Sequence, residues 1–353
     1  MRKRDHLRIA QVAPLWTSIP PQSYGGIELL MKLLADELVA RGHDVTLFAS
    51  GDCRTAAKLH EVCPMNLVDL VAAGKAYMYE YYASAAVASV IARQEEFDVI
   101  HYHLSPAWLP IAATARTPGL FTMHTSAHLD DEFVLRTWPQ VTVAGISRAQ
   151  MHGSSIRLGR EFPIVYNSCD FSAYEPSFEP GKYLVFLGRM AHAKNPAGAI
   201  NIARAAGMPL VLAGRPQNGE EERYFAEHVQ PFIDGDQIRW IGPVNHAQKT
   251  KLLREAAALL FPIQWDEPFG LVMIEAMACG TPVIAHRRGS VGEVVDDGIT
   301  GYSSPVMDAL PELLPLALQL DRESVRAHAE ERFGYRKMVD EYETLYRQIA
   351  DGG

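Results

Sequence analysis

Cysteine is scarce in this chain: Cys53, Cys63, Cys169 and Cys279 are the four in 353 residues, and no two form a CxxC pair. That spacing argues against a disulfide framework or a structural zinc, so four reduced thiols are expected, with Cys279 in a helical core. Long apolar runs are also missing. No stretch approaches the ~18–20 residues of a membrane span, and the apolar segment after the basic start "MRKRDHLRIAQVAP" is too short for a secretory leader. A cytoplasmic protein is the expectation. Positive charge is in deficit: 33 Lys and Arg against 42 Asp and Glu give −9. This argues against nucleic acid as a partner, although a local basic cleft can still hold a small anion. Short internal repeats and low-complexity tracts are absent too.

What is present is a globular composition, 48% hydrophobic and 21% charged. Single cores stop growing near ~250–300 residues, so two domains are expected. The first fifty residues read as strand, helix, strand. "LRIAQVAP" and "DVTLFAS" are strand-length apolar runs, and between them Ile27, Leu30, Met31, Leu34 and Leu38 share one helical face that stops near Gly42. A right-handed βαβ unit follows from that order. The rhythm continues with a helix through "YEYYASAAVASVIARQEEF" and strands at "DVIHYH", "GLFTMH" and "VTVAGIS". "YNSCDFSAYEPSFEPGK" has neither periodicity and reads as a linker.

Beyond it the pattern restarts, with strands at "YLVFLGRM", "PLVLAG", "IRWIGP", "LLFPI" and "PVIAH", and helices at "NPAGAINIARAAG", "HAQKTKLLREAAA" and from Leu271 to about Cys279. The expected division is an N-terminal Rossmann-like domain over 1–172, a C-terminal one over 180–335, and a terminal helix over 336–353 that can cross back to the first domain. The class is α/β: two doubly wound parallel sheets facing across a cleft, with ligands beyond the carboxyl ends of the strands.

Candidate chemistry lies at those strand ends. In "YGGIE", Gly25 and Gly26 precede a helix and allow an anion to approach its N-terminus, but the third glycine of a dinucleotide fingerprint is missing. In "GRMAHAKNP", Arg189 and Lys194 are spaced to reach one phosphate group or to line a solvated loop. In "EPFGLVMIEAMACGTPVIA", Glu267 and Glu275 lie eight residues apart with a helix between them. A separation on the order of 10 Å suits hydroxyls at two ends of one ligand. It also leaves open a hydrolytic carboxylate pair, which needs ~5–9.5 Å. His101 and His103 share a strand face, with His124 and His128 later; strand-end histidines lining a polar cleft are the simpler reading than a metal cluster. Tyr77, Tyr79, Tyr81 and Tyr82 fit core packing or, alternatively, an acceptor surface.

The two-glutamate segment, with "YGGIE", "FTMH", "YNSCD", "GRM…K" and "DDGITG", resembles the family 4 glycosyltransferases of GT-B fold over nearly the whole chain. The resemblance implies a retaining, metal-independent enzyme without cofactor. Its co-substrate is a nucleotide-diphosphate sugar, and its acceptor is a sugar, a lipid-linked molecule or another small molecule. It places the donor sugar on Glu267 and the backbone of Phe269, Gly270 and Leu271, the ribose on Glu275, and the pyrophosphate on Arg189 and Lys194. Gly26, beside Gly25, closes over the pyrophosphate, backbone near Gly242 to Val244 reads the base, and His124 stands beside the reacting sugar. Two stretches depart from the pattern: "KNP" follows Lys194 where many relatives have Lys-Gly, and "YNSCD" replaces Asn-Gly-Val-Asp. The alternatives are a nucleotide-sugar epimerase or sugar phosphorylase on the same fold, or a non-catalytic nucleotide-sugar sensor. Membrane association is expected to be peripheral at most.

Overall fold

The computed structural model describes residues 6–21 and 25–352. Among these, β1 (Arg8–Val12), β2 (Asp44–Ser50), β3 (Lys58–Cys63), β4 (Val99–Tyr102), β5 (Gly119–Met123) and β6 (Thr142–Gly145) form one sheet. Its order is β3-β2-β1-β4-β5-β6. A second sheet consists of β7 (Tyr183–Leu187), β8 (Leu210–Ala213), β9 (Ile238–Trp240), β10 (Ala256–Phe261), β11 (Val283–His286) and β12 (Gly301–Ser304), in the order β12-β11-β10-β7-β8-β9. Every pairing in both is parallel. Counted from its own first strand, the second sheet repeats the order of the first. The chain thus builds one doubly wound α/β topology twice.

The central strands are apolar because helices cover both faces of such a sheet. Ile9, Val12, Val99, Ile100 and Phe121 are buried in the first sheet, and Leu184, Phe186, Leu212, Leu260 and Ile284 in the second. Each large side chain so buried contributes roughly 1.5–3 kcal/mol. β3 was not evident in the sequence because it is an edge strand whose Lys58, Leu59 and Glu61 are exposed, so no buried run marks it. β12 is also an edge strand, buried or half-buried but only four residues long and without an apolar run.

Four local expectations change. The Gly26–Ala40 helix buries Glu28, not Ile27, in line with Leu30, Met31, Leu34 and Leu38. The helix expected through "REAAA" ends at Glu255, and Ala256–Ala258 open the buried strand β10. The stretch "SVRAHAEERFGYRKMVDEYETLYRQIA", helical by its pattern, is two helices separated at Gly334, Arg322–Phe333 and Tyr335–Gly352, the second matching the terminal helix expected over 336–353. The "YNSCDFSAYEP" stretch is irregular but not a loose tether. Phe171 and Tyr174 are buried, and the Arg326 guanidinium donates to their carbonyls at 2.7 and 3.1 Å.

The chain forms two compact units. One holds the first sheet, up to Asn167, and resumes at Tyr335 with the C-terminal helix; the other is Ser168–Gly334. In the first unit the C-terminal helix is tied to the end of the Gly26–Ala40 helix, where Arg41 pairs with Asp340 at 2.6 Å and Glu343 at 3.1 Å. All four cysteines are free and buried, and burial pushes the Cys279 thiol up to about 12. Among the described residues no helix is long and apolar enough to cross a membrane.

Candidate functional site

In the second unit, β7 and β10 are neighbours, so the loops that follow them leave adjacent points on the carboxyl edge of the sheet. Asn195 fastens these loops together. It adopts φ 57°, its Oδ1 accepts from the Gly198 backbone amide at 2.9 Å, and its side-chain Nδ2 donates to the Pro262 carbonyl at 2.9 Å. Lys194, one residue earlier, is thereby held against the β10 loop and forms an ion pair with Glu267 Oε2. Trp265 Nε1 donates to the same oxygen at 2.9 Å, and the Lys194 ammonium lies 5.0 Å from the Trp265 ring. Glu267 is buried. A Cβ at Gly289 would lie 2.4 Å from the Glu267 backbone, so glycine is needed for this close approach. Charges this well buried are retained only when paired, and the pair would be costly to break by removing one partner.

Gly270, at φ 81°, turns the chain into the Leu271–Ala278 helix, and Ser290 Oγ holds the turn by donating to the Phe269 carbonyl at 2.8 Å. No side chain caps this helix. Its first amides and the positive end of its dipole suit an anion. Farther along, Glu275 accepts from the Tyr174 hydroxyl at 2.8 Å and pairs with Lys249. The two glutamates therefore occupy one loop–helix segment with separate cationic partners.

Arg189 and Lys194 do not share a partner: Arg189 pairs with Glu221 at 3.1 Å on the Gly219–His228 helix, and Lys194 with Glu267. Val244 is half-buried in the loop after β9. There the Gly242 carbonyl accepts from the Gly214 amide at 2.8 Å, and a Cβ on Gly214 would lie 1.9 Å from the Gly188 carbonyl oxygen. The loops after β7, β8 and β9 are thus in close backbone contact.

In the first unit, Gly25 is extended and caps the Gly26–Ala40 helix by accepting from the Leu29 amide at 3.2 Å. A Cβ on Gly25 would meet Pro21 at 2.6 Å. Tyr24 of the same motif lies outside the described residues. His124 follows β5, where Gln150 fixes the backbone by donating to the Met123 and Thr125 carbonyls at 2.8 and 2.7 Å. Its Nε2 is 3.0 Å from His103 Nδ1, and burial pulls its pKa down to about 4, which keeps the ring neutral.

His101 does not line a cleft. It is fully buried, 2.7 Å from both the Tyr346 hydroxyl of the C-terminal helix and Thr122 Oγ1 of β5, and burial holds it and His103 well below the ordinary histidine pKa. His128 caps the Leu129–Thr137 helix. Among the described residues no group of three or more His, Cys, Asp or Glu is placed to hold a metal ion.

Sequence reading missed Trp265, Tyr174, Lys249 and Glu221. Trp265 stands two residues before Glu267 and was within reach of the motif. The other three meet the site from separate elements, and no local spacing announces that.

Two family profiles match the chain in tandem: "Glycosyltransferase Family 4" over residues 24–170 and "Glycosyl transferases group 1" over residues 170–332. A phosphatidyl-myo-inositol mannosyltransferase of Mycobacterium leprae is 26% identical over 98% of each chain. An N-acetyl-alpha-D-glucosaminyl L-malate synthase of Bacillus anthracis is 24% identical over 93% of this chain and 95% of its own. Among solved structures, AviGT4, a glycosyltransferase involved in avilamycin A biosynthesis, superposes with a TM-score of 0.74 at 25% identity, covering 98% of this chain and 99% of that one. Anabaena HepE in complex with UDP and glucose shares the fold at a TM-score of 0.72 and 20% identity, over 96% of this chain and 99% of its own.

Proposed function

Because the chain belongs to the family 4 glycosyltransferases, we propose that it transfers a hexose from a nucleotide-diphosphate sugar to an acceptor hydroxyl with retention of configuration. The observation that carries this reading is the Lys194–Glu267 pair beside the uncapped N-terminus of the Leu271–Ala278 helix. A cation and a helix dipole meet the developing charge of a departing diphosphate, and an adjacent carboxylate accepts from sugar hydroxyls. Arg189 adds charge on the phosphate side once it exchanges Glu221 for the ligand. Glu275 takes the ribose hydroxyls, with Lys249 and Tyr174 holding its carboxylate in place.

In the transfer, the bond from the sugar's anomeric carbon to the β-phosphate oxygen breaks and the bond to the acceptor oxygen forms on the same face. The acceptor proton passes to the departing phosphate. His124, neutral, donates or accepts one hydrogen bond at the reacting sugar. The protein's contribution is positioning and fixed charge, so no metal is required. A thermal-shift screen of nucleotide sugars tests the donor: at ~100 times Kd, binding adds ~2.7 kcal/mol of stability. Nuclear magnetic resonance of the product then reads the anomeric configuration. An inverted product, or stabilisation by no nucleotide sugar, would overturn the reading.

A further inference from the structure

The tyrosine run divides in the structure. Tyr79 and Tyr82 pack against the core of the first unit, whereas Tyr77 and Tyr81 are 81% and 71% exposed. Tyr79 also backs a second aromatic ring: its ring is stacked on that of Trp16, parallel within 4° at a centroid separation of 4.8 Å. Trp16 is itself 46% exposed. One face of the indole is therefore supported while much of the side chain meets solvent, an arrangement that core packing does not require.

The backbone beneath the indole is fixed: the Val68 amide donates to the Trp16 carbonyl at 3.1 Å and the Leu67 amide to that of Leu15 at 2.8 Å. A ring held this way loses little freedom when a ligand settles on it.

Trp16 lies in the loop that leaves the carboxyl end of β1, and His124 follows β5. Only β4 separates these parallel strands. At 4.7–4.9 Å per strand, their ends are about 10 Å apart on one edge of the sheet, the edge on which ligands of such sheets bind. Between Glu61 and Ser84 the chain carries Lys75 as its one cation against Glu61, Asp69 and Glu80. That balance does not suit a phosphate-bearing headgroup or an anionic membrane surface.

We propose that Trp16, backed by Tyr79, is an acceptor platform that stacks against a neutral acceptor with a flat apolar face, either a pyranose ring or an aromatic aglycone. The proposal rests on the glycosyltransfer reading above and adds to it the chemical class of acceptor.

The test compares methyl β-glucoside, p-nitrophenyl β-glucoside and myo-inositol 1-phosphate as probes with the full-length wild type, Trp16→Phe and Trp16→Ala. The donor is the one selected by thermal shift. Trp16→Ala should raise the acceptor KM about three- to tenfold, the range expected of one aromatic stacking contact, with the donor KM unchanged. Trp16→Phe should recover most of the loss. A preference for the nitrophenyl over the methyl glucoside identifies an aromatic aglycone, and equal use identifies the sugar ring.

Saturation-transfer resonance on the probes' ring protons, lost in Trp16→Ala, gives a readout independent of turnover. If wild type transfers nothing but this signal is present and depends on Trp16, the glycosyltransfer reading fails and the platform stands. An unchanged KM together with an unchanged signal in Trp16→Ala would overturn the platform. So would selective use of the phosphorylated cyclitol, or Trp16-dependent sedimentation with phosphatidylcholine vesicles without ring binding.

Discussion

The two sheets have the same strand order, yet their carboxyl edges carry opposite chemistry. At the second sheet, Lys194, Arg189 and Lys249 are each paired with a carboxylate, Glu267, Glu221 and Glu275 respectively. At the first, the strand ends carry His103 and His124, both neutralised by burial, and a half-exposed indole. One topology thus supports a charged edge and a neutral one, and the difference lies in loop residues. Lys194 and Arg189 can exchange an internal carboxylate for a ligand's phosphate, provided the released carboxylate is satisfied in turn, as Glu267 would be by sugar hydroxyls. Neutral rings cannot make that exchange and are suited to ring faces and single hydrogen bonds.

The largest break in this contrast should come from Lys194→Ala, which removes charge at the second sheet. Turnover is expected to fall roughly 10²–10³-fold, read as kcat with the fold checked by circular dichroism; a variant at full rate would remove the electrostatic account. His124→Ala, at the neutral edge, should lower kcat roughly tenfold to a hundredfold while leaving donor Kd alone. Lost donor affinity with kcat intact would move His124 out of its role.

Glu275→Ala should do the reverse, weakening donor binding about tenfold with kcat preserved, because the ribose does not change in the reaction. Calorimetric titration with the donor checks it. A gentler change concerns stability. His124 folds with its pKa moved from 6.5 to about 4, so between those values the unfolded chain binds more protons than the folded one. Stability from this group is complete above about pH 6.5 and declines as pH falls toward about 4. His101 and His103 act in the same direction. The urea midpoint should therefore drop over this window, and His124→Gln should shallow the drop. No change at all is expected from exhaustive EDTA treatment; activity lost to EDTA and restored by magnesium would show that fixed charge alone does not serve the second sheet.

The sequence was most informative where burial is continuous. The runs that became β1, β2, β4 to β8, β10 and β11 are apolar on both faces, and that pattern is readable without knowing the partner strands. The edge strands β3 and β12 were not readable: β3 is largely exposed and has the composition of a loop, and β12 is four residues of Gly, Tyr and Ser with no apolar run. The edge strand β9, by contrast, was read from "IRWIGP" although Arg239 and Trp240 are exposed. The helix stop at Gly42 was legible for a steric reason: it adopts φ 90°. The carboxylates Glu267 and Glu275 were legible as a motif, but their partners were not. Lys249 and Tyr174 lie 26 and 101 residues from Glu275, and only the folded sheet brings them together. His101 was misplaced because alternation along a strand gives its face but not what covers that face, and here the cover is Tyr342 and Tyr346 from the far end of the chain.

That last arrangement bears on how the chain is made. Residues 168–334 are an insertion within the first unit, whose final helix starts at Tyr335. A ribosome releasing ~5–20 residues per second completes the inserted unit before the first has its last element, so the usual order of N-terminal folding before C-terminal is interrupted. Until then the pocket for Tyr342 and Tyr346 on β4 and β5 is uncovered, with His101 and Thr122 open to water. The penalty for a late closing segment grows only with the logarithm of the loop it spans, which makes such an insertion thermodynamically tolerable. The exposure is one of time during synthesis, and a chain stopped short of Tyr335 would retain it permanently.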